Sequence, residues 1–193
     1  MRLMEPMTTR GTSIREKLFG LKIYDTNGEL TDASTLFPEG KCRAVAWLRH
    51  FGCVFCKQLA AELAQVYAEQ ENKDVGIAVV GQGSWQQARN FKAESKFPGD
   101  VYTDPELKTY EALEFTRSVK SFLQPSLLVR AYSALREGLH QGPVQGKAFQ
   151  NGGVIVSKGD KVFLEYRDPA PGKHVSKQDI ILACNACYED IQK

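Results

Sequence analysis

Apolar positions along this chain fall into short continuous runs separated by stretches of helical periodicity. Ala44-Val45-Ala46-Trp47-Leu48 and Val75-Gly76-Ile77-Ala78-Val79-Val80 lack strict alternation, which predicts strands buried on both faces. Between them Leu59, Leu63, Val66 and Tyr67 recur at helical spacing around Glu62 and Glu69, predicting a helix from Phe55 to about Asn72. Strand, helix and strand in succession imply a right-handed parallel unit. After the second run, Gly81-Gln82-Gly83 leads to Ser84, a good N-cap for a helix from Trp85 to Phe97. Val101-Tyr102-Thr103 predicts a short strand. Asp104-Pro105-Glu106 then offers an N-cap, a first-position proline and an early acid for a helix to about Phe115.

Turn signals mark both flanks of this unit. Asn27-Gly28, between two strand-like runs, predicts an edge hairpin over residues 21–31. Gly153 to Ser157 and Lys161 to Arg167, joined by Lys158-Gly159-Asp160, predict a second hairpin with Val162, Leu164 and Tyr166 on one face. Ser176-Lys177-Gln178-Asp179 opens a final helix with capping-box-like spacing. Residues 116–149 break the pattern: Ser126 to Leu139 reads helical and His140 to Gly146 reads as a loop. An inserted helix is expected there, either covering the sheet or forming an amphipathic lid over an organic peroxide.

Composition narrows the picture. A chain of 193 residues, 42% hydrophobic, suits one compact domain, here residues 19–193, behind an N-terminal extension of residues 1–18. The net charge is only +2 and there is no basic run, so neither nucleic acid nor an anionic membrane surface is an expected partner. The longest apolar runs are about six residues, against the roughly 18 that span a bilayer, so a soluble protein is expected. Met1 to Met7 carries no secretory apolar core, which makes the cytoplasm the expected location. Thr8 to Arg15 has some transit-like composition, leaving organelle import as the lesser expectation. Five cysteines, an odd number, do not resemble a secreted disulfide framework, and reduced resting thiols are expected.

Cys53-Val54-Phe55-Cys56 sits where the first buried strand meets the first helix. Helix N-termini leave N–H groups without internal partners and carry positive dipole, so a thiolate at Cys53 is favoured there. Cys56, three residues on, lies on nearly the same face and within reach of the Cys53 sulfur. Cys53 is the candidate nucleophile and Cys56 the resolving cysteine. Arg49 and His50 precede the loop and are candidates for lowering the thiolate pKa or supplying a proton; as strand neighbours their side chains should point apart. Arg130 and Arg167 are further candidates for meeting developing negative charge. Cys184 and Cys187 form a second CxxC on the last helix, readable as helix packing, an auxiliary relay or half of a zinc site. Cys42 reads as structural.

The order of elements is that of the thioredoxin-like fold. Arg49-His50-Phe51-Gly52-Cys53-Val54-Phe55-Cys56-Lys57 resembles the peroxiredoxin-like 2 group of AhpC/TSA-related proteins, especially the AhpC/TSA antioxidant enzyme domain branch. Further similar segments are Val80-Gly81-Gln82-Gly83-Ser84, Val101 to Glu106 with Tyr110, Gln150-Asn151-Gly152-Gly153 and Tyr166-Arg167-Asp168, together spanning residues 20–185. The resemblance implies an α/β three-layer sandwich: a mixed central sheet with helices on both faces, an N-terminal hairpin and a helical insertion. It implies a thiol-dependent oxidoreductase that reduces a small peroxide, a lipid hydroperoxide or a disulfide and is reset by thioredoxin or glutathione, with no cofactor or metal. The Pro-x-x-x-Thr-x-x-Cys loop of true peroxiredoxins is replaced, with Ala46 and His50 at the proline and threonine positions. A catalytically weak redox-sensing or partner-binding module is therefore the alternative.

Overall fold

The computed structural model describes residues 12–115 and 150–191; the insertion expected at 116–149, with Arg130, lies outside them. Ser13 caps a short helix, α1 (Ile14–Leu18), with Glu16 completing a capping box. Strands β1 (Lys22–Tyr24) and β2 (Leu30–Asp32) pair antiparallel across the Asn27-Gly28 turn, and a 3-10 turn (Ala33–Leu36) follows. Then come β3 (Cys42–Trp47), α2 (Val54–Glu69), β4 (Val75–Gly81), α3 (Trp85–Ser95), β5 (Asp100–Thr103) and α4 (Lys108–Ala112). Beyond the insertion are β6 (Gly153–Lys158), β7 (Lys161–Arg167) and the last helix, α5 (Lys177–Ile191).

The seven strands form one mixed sheet in the order β2-β1-β5-β4-β3-β6-β7. Strands β3, β4 and β5 run parallel, whereas β6 lies antiparallel to β3, and β7 to β6. Alternation along β3 divides the core between the two faces. Cys42, Ala44 and Ala46 face α2 and α5, where Leu59, Leu63, Val66 and Ile180 are buried with them. Val45 and Trp47 face the other side, against Leu18, Phe37, Tyr110 and Leu113. Burying each of these large aliphatic side chains contributes about 1.5–3 kcal/mol. The segment read as an N-terminal extension thus supplies two core residues, Ile14 and Leu18.

Three local expectations are corrected. A bulge opposite Val156 and Ser157 pairs them with Leu164 and Val162, leaving Phe163 as the extra residue. Val162 is thereby turned to the face opposite Leu164 and Tyr166. The helix expected from Asp104 to Phe115 begins only at Lys108, because Leu107 adopts a left-handed φ of 62°. Asp104 still caps it from a distance, its carboxylate accepting from the Thr109 N–H and hydroxyl, both at 2.7 Å. Finally, the resting cysteines are not all reduced: Cys42, at the start of β3, is joined by a disulfide to Cys187 on α5, 145 residues away. An odd cysteine count hid this bridge, since two of the remaining three belong to the CxxC and Cys184 stands alone.

Candidate active site

Cys53 is the N-cap residue of α2, and Cys56 lies in its first turn. Both are buried free thiols, as is Cys184. The chain reaches them by a tight loop in which the Cys53 N–H donates to the His50 carbonyl at 3.1 Å. Within that loop Arg49 touches both sulfurs: its backbone N–H donates to Cys56 Sγ at 3.2 Å, and its Nη1 to Cys53 Sγ at 3.4 Å. The hydrogen bond from Cys56 pulls the Cys53 pKa down to about 6; burial opposes this, and the Arg49 charge and the N–H groups of Cys56 and Phe55 reinforce it. Cys56 moves the opposite way, raised well above an ordinary thiol by burial and by its thiolate neighbour. At neutral pH one sulfur is charged and the other holds its proton, the division of labour that a nucleophile and a resolving thiol require.

His50, although adjacent to Arg49, has a different environment. Burial, with the Arg49 charge, pushes its pKa down to about 4, so the ring is neutral at physiological pH. Its Nδ1 has no hydrogen-bond partner among the described residues. The structure therefore brings Arg49, Cys53 and Cys56 together and leaves His50 as a buried neutral ring. Arg167 binds the Leu113 carbonyl and Glu165, and Cys187 is consumed by Cys42. Cys184 has its pKa raised by burial to about 12, which makes it a poor nucleophile.

Several residues hold this loop from outside. Arg49 Nε donates to the Gln150 carbonyl at 3.3 Å, while the Gln82 amide donates to the Arg49 carbonyl. The Tyr110 hydroxyl lies 2.6 Å from the Leu48 carbonyl, and Gln150 Nε2 donates to the Phe115 carbonyl at 2.8 Å. Gly152 packs so close to β3 that a Cβ would collide with the Trp47 carbonyl. All four anchors stood in the sequence as members of the segments similar to the family, but nothing in their spacing told that they converge on Trp47, Leu48 and Arg49.

Close enough to Cys53 for the two charges to influence each other is an Asp168–His174 pair that sequence reading missed. His174 Nδ1 is 2.7 Å from Asp168 Oδ2, and the Asp168 N–H donates to the Gly152 carbonyl at 3.0 Å. His174 also helps line a cavity of about 620 Å³ against Gln58, Glu62 and Gln65 of α2. Its only sequence signal was Asp168, the last residue of the Tyr166-Arg167-Asp168 segment.

Comparison with known proteins bears on the family and the fold. The AhpC/TSA antioxidant enzyme family model matches residues 59–170, more than half of the chain, starting just after Cys56. The chain is 32% identical over 186 residues to a thioredoxin-like protein AAED1, chloroplastic, of Arabidopsis thaliana, covering 91% of this chain and 75% of that protein. It is also 32% identical over 178 residues to the prostamide/prostaglandin F synthase of Homo sapiens, covering 86% and 88%. Among solved structures, the bacterioferritin comigratory protein of Xanthomonas campestris, studied for alkyl peroxide reduction, superposes with a TM-score of 0.60 at 13% identity, over 88% of this chain and 92% of that one. At that identity the likeness speaks for the fold, and it is the thioredoxin-like one. With sequence, topology and these relatives in agreement, the chain belongs to the AhpC/TSA antioxidant enzyme family of peroxiredoxin-like thiol oxidoreductases.

Proposed function

We propose that the protein reduces a hydroperoxide, or a disulfide, through a dithiol–disulfide cycle of Cys53 and Cys56. The observation that carries this reading is the Arg49 guanidinium against the sulfur of Cys53, the residue at the N-terminus of α2, with a protonated Cys56 one turn on. The Cys53 thiolate attacks the terminal oxygen of the peroxide, an S–O bond forms as the O–O bond breaks, and the sulfenic acid is left while the departing alkoxide takes up a proton to become the alcohol. The Cys56 thiol then displaces the hydroxyl as water, closing the disulfide. Thioredoxin or glutathione supplies the two electrons that reopen it. The human relative's name adds an oxygenated lipid, a prostaglandin, to the substrates worth trying. The cycle belongs in the cytoplasm, or in an organelle such as that of the Arabidopsis relative.

The burial of both sulfurs favours a second reading, a redox sensor that reacts once without turnover. Ala46 and His50, standing where peroxiredoxins hold proline and threonine, favour it too. One experiment separates the two. Reduced protein is mixed in turn with hydrogen peroxide, a lipid hydroperoxide and an aromatic disulfide, with and without thioredoxin and its reductase, and the oxidised cysteines are mapped. Continuous reductant consumption that Cys53→Ser abolishes, with Cys56→Ser arrested at sulfenic acid, supports the enzyme. A single oxidation without turnover supports the sensor, and a pair left reduced by all three oxidants sinks both.

A further inference from the structure

A peroxide O–O bond is opened at low cost only if the departing oxygen receives a proton, and among the described residues Arg49, Cys56 and His50 are poor sources of one. Arg49 holds its proton permanently, Cys56 keeps its own for the resolving step, and His50 is neutral in its buried site. His174 has the required properties. Its Nδ1 is fixed by Asp168 at 2.7 Å, its side chain is 10% exposed and that of Asp168 1%, and its Nε2 is buried with no hydrogen-bond partner among the described residues. The loop that carries the pair is tied to the Cys53 loop through the segment that leads into β6. Asp168 holds the Gly152 carbonyl, while Gln150, two residues earlier, holds Arg49.

We propose that the Asp168–His174 pair is the proton donor of the Cys53 site. As the Cys53 thiolate opens the O–O bond, His174 Nε2 gives its proton to the leaving alkoxide, and Asp168 orients the ring and balances its charge. The atoms and electrons balance: sulfur loses two electrons to the peroxide, the S–O bond replaces the O–O bond, and the alkoxide leaves as alcohol. The neutral imidazole regains a proton from water before the next turnover. This rests on the peroxidase reading above and assigns the acid within it.

Among the described residues, the charged groups around His174 are Asp168 and the preceding Lys173 on its own loop, Cys53 and Glu62 at α2, and Lys177 at the start of α5. Burial works against the imidazolium, but the hydrogen bond and charge of Asp168, then the charges of Cys53 and Glu62, outweigh it and raise the pKa above that of an ordinary histidine. The donor form thus persists to higher pH than in an ordinary histidine and is lost as pH rises through this elevated value. Oxidation by an alkyl hydroperoxide should follow a bell, rising as Cys53 ionises and falling as His174 deprotonates.

The test compares leaving groups. Rates of Cys53 oxidation are measured for wild type, H174Q and D168N with cumene hydroperoxide, whose alkoxide needs a proton, and with dithiobis-nitrobenzoate, whose aromatic thiolate leaves without one. H174Q should slow the first reaction about 100-fold, the lower end of general-acid effects, and leave the second nearly unchanged. D168N should move the falling limb of the cumene hydroperoxide profile to lower pH, because the histidine loses the partner that raises its pKa. Equal losses with both reagents would mean a structural role and overturn the proposal, as would an unchanged hydroperoxide rate. Should the variants fold poorly, the wild type still decides: a falling limb seen with the hydroperoxide and absent with the disulfide supports the pair, and its absence from both refutes it. Were wild-type Cys53 inert to cumene hydroperoxide altogether, the peroxidase reading itself would fall, a result distinct from any of these.

Discussion

Arg49 is the residue on which the chemistry of the pair turns, because its side chain and backbone serve different sulfurs. The backbone N–H reaches Cys56 and survives any substitution other than proline, whereas the guanidinium reaches Cys53 and does not. Arg49→Met should therefore raise the Cys53 pKa by about one unit, toward a free thiol, while Cys56 stays protonated. The pH dependence of iodoacetamide alkylation, followed by mass spectrometry at Cys53, measures this. In the wild type the midpoint should lie near pH 6, so alkylation gains rate as pH rises through that value, well below the free-thiol range. At this scale the sequence announced the cysteines and the two candidates beside them. It was silent on which of Arg49 and His50 turns inward, because strand alternation says only that neighbours diverge. It was silent also on His174, which the chain brings in from a loop more than a hundred residues beyond Cys53.

Elements were more legible than contacts. Continuous apolar runs marked β3 and β4, and Ser84 capped α3 as its type suggests, with Gln87 answering in a capping box. What escaped were the places where one residue departs from its element's period. Phe163 bulges out and flips Val162, and Leu107 turns left-handed and delays α4, and neither has a composition that advertises it. Gly152 is a departure that can be tested. A Cβ there would meet the Trp47 carbonyl, a backbone atom that cannot rotate away. Gly152→Ala should cost about 1–3 kcal/mol in urea denaturation, the range for overpacking. It should also slow Cys53 oxidation, since the segment it displaces, which leads into β6, includes Gln150 and through it holds Arg49. A stable variant with unaltered reactivity would show that the segment before β6 does not position the site.

At the scale of the whole molecule, a single sheet organises two kinds of sulfur. The loop after β3 leads to the free thiols of Cys53 and Cys56, while the strand's first residue, Cys42, is bound to α5. Order of elements and the family resemblance disclosed the layered fold, but the bridge needed the third dimension. It joins positions 145 residues apart, and pairing cannot be read from spacing. Cys187→Ser should lower stability by about 2–4 kcal/mol, read from urea unfolding, without changing the alkylation midpoint of Cys53. The bridge also alters the arithmetic of any thiol assay. Of five cysteines, two are spent in the bridge, so the protein with its active pair open should titrate three thiols under denaturing, non-reducing conditions. Closing Cys53 to Cys56 leaves one, Cys184, and a residual signal of one thiol per chain then marks complete oxidation, not a damaged fraction.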